Sequence, residues 1–280
     1  MIQLAASEYT RILPYISSEE DDSRFIFVFV YSVIEQLQPG GIYVNDRQAP
    51  TAGLVVSRGG KYYVFGTLAD QNFNKSLVEF LIDERNHCQF YDLYASSSTW
   101  MTYLSAALKE HVVPLSRTHY TYVEGVIPNA SVDLEDDLSL TDIDSYIYNK
   151  YQQEVDASYK QLWNSAEDYL HTAFGYCFMA DDQIVSTCHT FYIGGGYIEP
   201  DIRTHSDYRQ RGYALRLCQH FIKRSVERGL IPYWDCDAGS QASNALALRL
   251  GLSRVGDVPI LWWHEDKEII QRYLIKYGYI

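Results

Sequence analysis

Apolar and polar positions along this chain change period several times, and each change marks an element. Between residues 41 and 66, three short runs rich in β-branched and aromatic residues read as strands: Gly41–Asn45, Ala52–Ser57 and Tyr62–Gly66. Turn residues separate them, among them Arg58-Gly59-Gly60-Lys61. The period then becomes helical. Phe73, Leu77, Phe80 and Leu81 share one face of a helix over Phe73–Glu84, and Trp100, Tyr103, Leu104, Ala107 and Leu108 share one over Thr99–Glu110, with Thr99 as its cap. Residues 127–131 (Ile-Pro-Asn-Ala-Ser) and six carboxylates between Asp133 and Asp144 mark a linker and the entry to a helix over Tyr146–Leu170. Tyr148, Tyr151, Val155, Tyr159 and Leu162 recur along that helix at helical spacing. Phe174–Met179 and Ile184–Tyr192 form a hairpin around Ala180–Gln183. After Gly194-Gly195-Gly196 come a strand over Tyr197–Thr204, a helix over Leu215–Glu227, an aromatic-rich strand ending at Cys236 and a helix from Ser240 to Leu252.

Between the Tyr197–Thr204 strand and its helix lies Arg209-Gln210-Arg211-Gly212-Tyr213-Ala214. A strand, a basic glycine turn and a helix start make an anion-binding construction. The first N–H groups of the helix have no intrahelical partner, and the macrodipole favours negative charge there. Gly212 lacks the Cβ that would hold a phosphate off the backbone, and the arginines offer charge-assisted donors. The spacing is Arg-x-x-Gly-x-Ala. It is neither a dinucleotide-fold Gly-x-Gly-x-x-Gly nor a phosphate loop ending in Gly-Lys-Ser/Thr, which disfavours a phosphotransferase or nucleotide hydrolase.

This turn, in the order hairpin, strand, turn, helix, strand, helix over residues 172–265, resembles the GCN5-related N-acetyltransferase (GNAT) superfamily. Glu199-x-Asp201-Ile202-x-Thr204, Pro232–Cys236 and the Ser243/Ala247 spacing are most similar to the bacterial branch that includes zwittermicin A resistance acetyltransferases. The resemblance implies a mixed α/β (α+β) protein. Residues 131–280 would form the GNAT domain and 1–130 an N-terminal α/β domain. The N-terminal part also runs from small strands to a helix, but Thr67–Asn72 stands where the basic turn would be, without a cation. A degenerate GNAT-like repeat and an unrelated domain both stay open.

Composition narrows the class. The content is 47% hydrophobic and 21% charged, as in a globular protein. Five scattered cysteines show no ligand spacing, so zinc is not expected and a reducing cytoplasmic setting fits. Phe25–Ile34 is too short to cross a bilayer, and no basic leader precedes it. A net charge of −13 disfavours nonspecific nucleic-acid binding and would steer a cationic substrate, although it also serves solubility.

The resemblance implies acetyl-CoA as cofactor. Arg209, Gln210, Arg211, Gly212, Tyr213 and Ala214 would grip its pyrophosphate, and the backbone of Asp201, Ile202, Arg203 and Thr204 would pair with its pantetheine arm. Pro200 cannot donate in that ladder. The acceptor would be a small-molecule amine attacking the thioester directly. An alkyl amine with a pKa near ~10.4 arrives protonated and needs a base. Glu199 stands where relatives often carry it, with Asp201 and Asp235 as lesser candidates. The tyrosine that relatives use to protonate the thiolate is absent, since Ala247 occupies its place; Tyr233 is the substitute. Ser240 replaces a helix-start Asn, and Ser243 could bond the pantetheine or a water. A non-catalytic acyl-CoA-binding or protein-interaction module on the same fold is the alternative, motivated by these departures.

Overall fold

The computed structural model describes residues 1–16, 25–126 and 138–280. Their order is β1 (Ile2–Gln3), α1 (Leu13–Ile16), α2 (Val28–Ile34), β2 (Gly40–Val44), β3 (Ala52–Ser57), β4 (Lys61–Gly66), α3 (Gln71–Ile82), β5 (Phe90–Ala95), α4 (Ser98–Ala107) and β6 (Val113–Thr121). There follow β7 (Ser139–Asp142), α5 (Ser145–Glu154), α6 (Ala166–Thr172), β8 (Gly175–Ala180), β9 (Gln183–Gly194), β10 (Tyr197–Thr204), α7 (Tyr213–Glu227), β11 (Ile231–Asp237), α8 (Gln241–Arg249), β12 (Ser253–His264) and α9 (Lys267–Tyr277).

Local chemistry sets most boundaries. Asp70 caps α3 by accepting from the N–H groups of Asn72 and Phe73. Ser97, not Thr99, caps α4, so Thr99 lies inside that helix. The helix expected over 146–170 is broken. Asp144 caps α5, Asp156 starts a single 3₁₀ stretch at Ala157–Gln161, and Ser165 caps α6. Asp and Ser side chains that bond nearby N–H groups offer the backbone an alternative to continuing a helix, and that outweighs the tyrosine periodicity. Residues 127–131 and Asp133 to Asp137 of the expected linker lie outside the described residues.

The described strands form one mixed sheet in the order β1-β2-β3-β4-β5-β12-β6-β11-β10-β9-β8-β7. β12, from the C-terminal end, lies between β5 and β6 and bonds to both, and β6 also bonds to β11. Strands from either side of residue 130 are thus interleaved. The apolar run at Phe25–Ile34 becomes α2, with Val28, Phe29, Val30, Val33 and Ile34 all buried. It packs on β9 and β3 together. Gln38, just beyond it, donates to the Phe191 carbonyl (2.8 Å) and accepts from the Ile193 N–H (3.1 Å). Gly194 is required there: a Cβ would stand 2.3 Å from the Ser32 nitrogen of α2.

Candidate functional site

β10 and β11 run parallel but share only two rungs, Tyr197↔Ile231 and Ile198↔Pro232. Beyond them β10 stays with β9 as far as Thr204 and β11 stays with β6 as far as Asp237, so the strands part and leave facing backbone edges unpaired with each other. Glu199 and Tyr233 are the first residues past the last shared rung.

Past the open end of β10 is the basic turn. Gln210 and Gly212 both have positive φ, 63° and 87°. Alternation of this kind turns successive N–H groups toward one point, which makes an anion-binding nest. Gly212 is the N-cap of α7 and no side chain caps the helix, so its first N–H groups are left for a ligand. Arg209 Nε donates to the Thr204 carbonyl (3.2 Å), and an Arg211 Nη to that of Asp207 (3.1 Å). Both guanidinium groups are thereby held on the turn, with Arg211 also over the Tyr208 ring. Tyr213 is buried against Phe178, and Ala214 follows it at the helix start. An uncapped 15-residue helix, a positive-φ glycine and a strand edge free to pair are what a pyrophosphate with an extended amide arm requires, so these residues fit acetyl-CoA.

The side chains of residues 201–204 are engaged elsewhere, and their backbone edge toward β11 is unpaired with that strand. Asp201 accepts from Tyr151 Oη (3.2 Å), Arg203 reaches Asp156 (2.6 Å), Ile202 packs in the core and Thr204 Oγ1 meets Ser186 Oγ (2.8 Å). On the other side of the parting, Ser243 Oγ accepts from Trp234 Nε1 (3.2 Å). Ser240 sits at the N-cap of α8 without a side-chain cap bond, and Asn244 holds that turn by donating to the Ser240 and Asp237 carbonyls. Ala247 is fully buried.

Glu199 is 3% exposed and meets a charge network that sequence spacing does not reveal. Lys61 Nζ donates to Glu199 Oε2 (3.0 Å) and to Asp235 Oδ2 (2.6 Å). Asp235 also accepts from Arg117 Nε (2.7 Å) and Tyr94 Oη (2.7 Å), and Arg117 reaches Asp92 (3.6 Å). Burial raises the Glu199 carboxyl and Lys61 pulls it back, with a net position above the ordinary range. Burial acts on Asp235 in the same direction, but Arg117 and Lys61 outweigh it and hold that carboxyl well below its ordinary value. Burial lowers Lys61, yet its two carboxylates carry it above the usual ammonium value. Two neighbouring carboxyls are thus driven apart, one basic and one firmly ionised.

Tyr233 Oη accepts from the Ile26 N–H (3.1 Å) and lies 3.0 Å from His119 Nδ1. Burial raises its phenol above the ordinary range. His119, between Phe25 and Tyr94, is pushed down to about 4 chiefly by burial, so it is neutral at pH 7. A depressed histidine contributes stability above its unfolded value near ~6.5 that is lost as pH falls toward the folded value. The window is therefore about pH 6.5 down to about 4, and a shift of this size amounts to about 3 kcal/mol. The His119→Gln variant should lose less stability than the parent between pH 7 and pH 4.5. Urea unfolding at both pH values measures this, and equal losses would refute it.

Lys61, Asp92, Tyr94, Arg117 and His119 are the residues sequence reasoning missed. Lys61 reads as the end of a turn but is the first residue of β4. Arg117 and His119 alternate on one face of β6, two polar side chains in a strand, and this is the one local signal that existed.

No helix among the described residues is long and apolar enough to cross a membrane, and none of their His, Cys, Asp and Glu groups clusters as metal ligands. The parted parallel strands and the basic helix start define an acyl-CoA transferase scaffold. The sequence profile of the GNAT acetyltransferase family matches residues 24–261. The chain belongs to that family and is an N-acetyltransferase. It is 28% identical to the uncharacterized N-acetyltransferase YdfB of Bacillus subtilis (strain 168) over 241 residues, 86% of this chain and 92% of the relative. Its fold is similar to that of a GCN5-related N-acetyltransferase-like protein from Streptococcus suis (TM-score 0.73, 20% identity, 92% of this chain and 99% of the other). It is also similar to that of a tandem GNAT protein from the clavulanic acid biosynthesis pathway, solved without AcCoA (TM-score 0.60, 12% identity, 94% and 97% covered).

Proposed function

We propose that this chain transfers the acetyl group of acetyl-CoA to the amine of a small molecule by direct attack on the thioester. The observation that carries this reading is the placement of Glu199 and Tyr233 on either side of the first open rung, with the uncapped start of α7 beyond the open end of β10. Bound acetyl-CoA supplies the activated carbonyl. The turn at Arg209–Ala214 holds phosphate charge, and the free edge of β10 aligns the arm. Glu199, raised by burial, accepts the ammonium proton before nitrogen forms its bond to the carbonyl carbon. The carbon–sulfur bond then breaks. A thiolate whose conjugate acid has a pKa near ~8.5 needs little help to leave; Tyr233 is assigned to protonate it, and the second proton that nitrogen sheds on becoming an amide restores the phenol.

On its residue pattern we place the chain beside the zwittermicin A resistance acetyltransferases, a likeness of sequence rather than of substrate. The free thiols, four of them buried, support a reducing cytoplasmic setting. The non-catalytic reading draws on the tight Lys61–Glu199 pair.

Calorimetric titration with acetyl-CoA, parent against Arg209→Ala/Arg211→Ala, tests the cofactor site. Charge-assisted bonds contribute about 1.5–3 kcal/mol each, so losing both arginines should lower affinity by about a hundredfold or more. Parent protein that ignores acetyl-CoA would sink the reading. Binding without thiol release across an amine panel would favour the non-catalytic module.

A further inference from the structure

Between the two halves of the chain lies a recess of about 290 Å³. The Arg58-Gly59 turn and Phe90 form one side, the 3₁₀ stretch at 157–161 forms another, and Phe191, Asp201 and Arg203 close it. It abuts the proposed chemistry. Phe191 is the extra residue where the β9–β10 register skips beside Glu199, and its ring lies 5.6 Å from Lys61 Nζ. Asp201 shares a sheet face with Glu199, two positions along the same strand.

The charges around the recess are unevenly matched. Asp156 and Asp201 both engage Arg203. The Arg58 guanidinium donates to the neutral amide oxygen of Gln161 (3.1 Å), and neither Arg58 nor Lys160 has a carboxylate partner among the described residues. In a chain of net charge −13, two cations without carboxylates at one opening are informative. Behind Asp201 and Tyr159, His189 is 1% exposed, and neither ring nitrogen has a hydrogen-bond partner among the described residues. Its Nε2 lies 3.6 Å from Asp201 Oδ2. Burial pulls His189 below its ordinary value and Asp201 stays ionised, so on the inner side two carboxylates share the single cation Arg203, while the rim carries Arg58 and Lys160. Phe90 and Phe191 supply apolar faces between the two.

We propose that this recess binds the acceptor, and that the acceptor is a small zwitterion of amino-acid size, with its ammonium toward Asp201 and its carboxylate toward Arg58 and Lys160. The assignment of an amine rests on the acetyl-transfer reading above. The volume, about 290 Å³, falls just under the ~300–1,000 Å³ usual for ligand pockets, which suits one small molecule. The rim also explains how an acidic protein admits an acid: the local cations offset the overall field at the opening.

The test uses a matched pair, L-phenylalanine and phenethylamine, which differ only by the carboxylate. Each is titrated by calorimetry into the full chain with saturating coenzyme A, which has no acetyl group to give. The carboxylate-bearing amine should bind at least tenfold more tightly, and the Arg58→Ala/Lys160→Ala variant, altered only at exposed positions, should bring the ratio toward one. Equal binding, a preference for phenethylamine, binding of neither amine at millimolar concentration, or a ratio the variant leaves unchanged would overturn the proposal. Thiol release from acetyl-CoA with the same amines reads the transfer itself. A carboxylate preference without thiol release supports the recess and refutes the transfer; thiol release without the preference does the reverse.

Discussion

Lys61→Met should be among the most destabilising single substitutions in this protein, costing about 3–5 kcal/mol at pH 8. Met keeps the apolar stem among Phe29, Phe191 and Tyr192 but removes the ammonium that two carboxylates share. Asp235 retains Arg117 and Tyr94, whereas Glu199 has no other cation within ion-pair distance among the described residues. A buried carboxylate stripped of its partner either stays charged at high cost or takes up a proton. The sign follows from the direction of the shift. Glu199 already sits above its ordinary value and Lys61 is the group pulling it down, so the variant raises it further. A carboxyl with a raised folded pKa is least costly at low pH and loses stability as pH rises through that value. The deficit should therefore be smaller at pH 5.5 than at pH 8. Adding Glu199→Gln should restore part of it, because a neutral amide needs no counter-charge. Urea unfolding of the parent, both single variants and the double variant gives the coupling directly. A deficit equal at both pH values, with no recovery in the double variant, would mean that the pair is not the source of the loss.

The sequence and the structure agree where the signal is local. The strand at Tyr197–Thr204 has the bounds the pattern predicts. The hairpin around Ala180–Gln183 turns at Asp181, whose φ of 49° suits an Asp, and α7 opens on a positive-φ glycine. Each of these rests on a period, a turn residue or a cap within a few positions. Legibility failed where partners are distant. Lys61 and Glu199 are separated by 138 positions, and Lys61 and Asp235 by 174. The position of β12 between β5 and β6 rests on pairing with strands far away in the sequence, and no window of sequence carries that. The 146–170 region failed for a different reason. Its tyrosines do face one core, with Tyr148, Tyr151, Tyr159 and Tyr169 in ring contact, but they reach it from three segments instead of one helix. The basic turn at the start of α7 was therefore readable, while the setting of the proposed base was not, because that setting is built by the half of the chain with no motif.

The chemical step should respond most to Glu199→Gln. The amide keeps the shape and can still accept from Lys61 through its oxygen, so the interface between the halves survives while the basic oxygen is lost. Acetyl-CoA binding, which we assign to Arg209–Ala214 and the backbone of β10, should be unchanged within about twofold, since neither proposed contact involves the Glu199 side chain. Turnover with an amine should fall by about 10²–10⁴, the range typical for a lost general base. The pH profile separates this from a positional effect. In the parent, the rate should climb with pH through a Glu199 value above the ordinary carboxyl range, because only the ionised form accepts a proton. In the variant that limb should disappear, and the residual rate should follow the free-amine fraction of the acceptor, rising toward its pKa near ~10.4 for an alkyl amine. Stopped-flow thiol release between pH 5 and pH 9 measures both limbs. If Glu199→Gln keeps the lower limb, that limb belongs to neither Asp201 nor Asp235, because both carboxyls are held below their ordinary value and stay ionised across this range, and Glu199 is not the base.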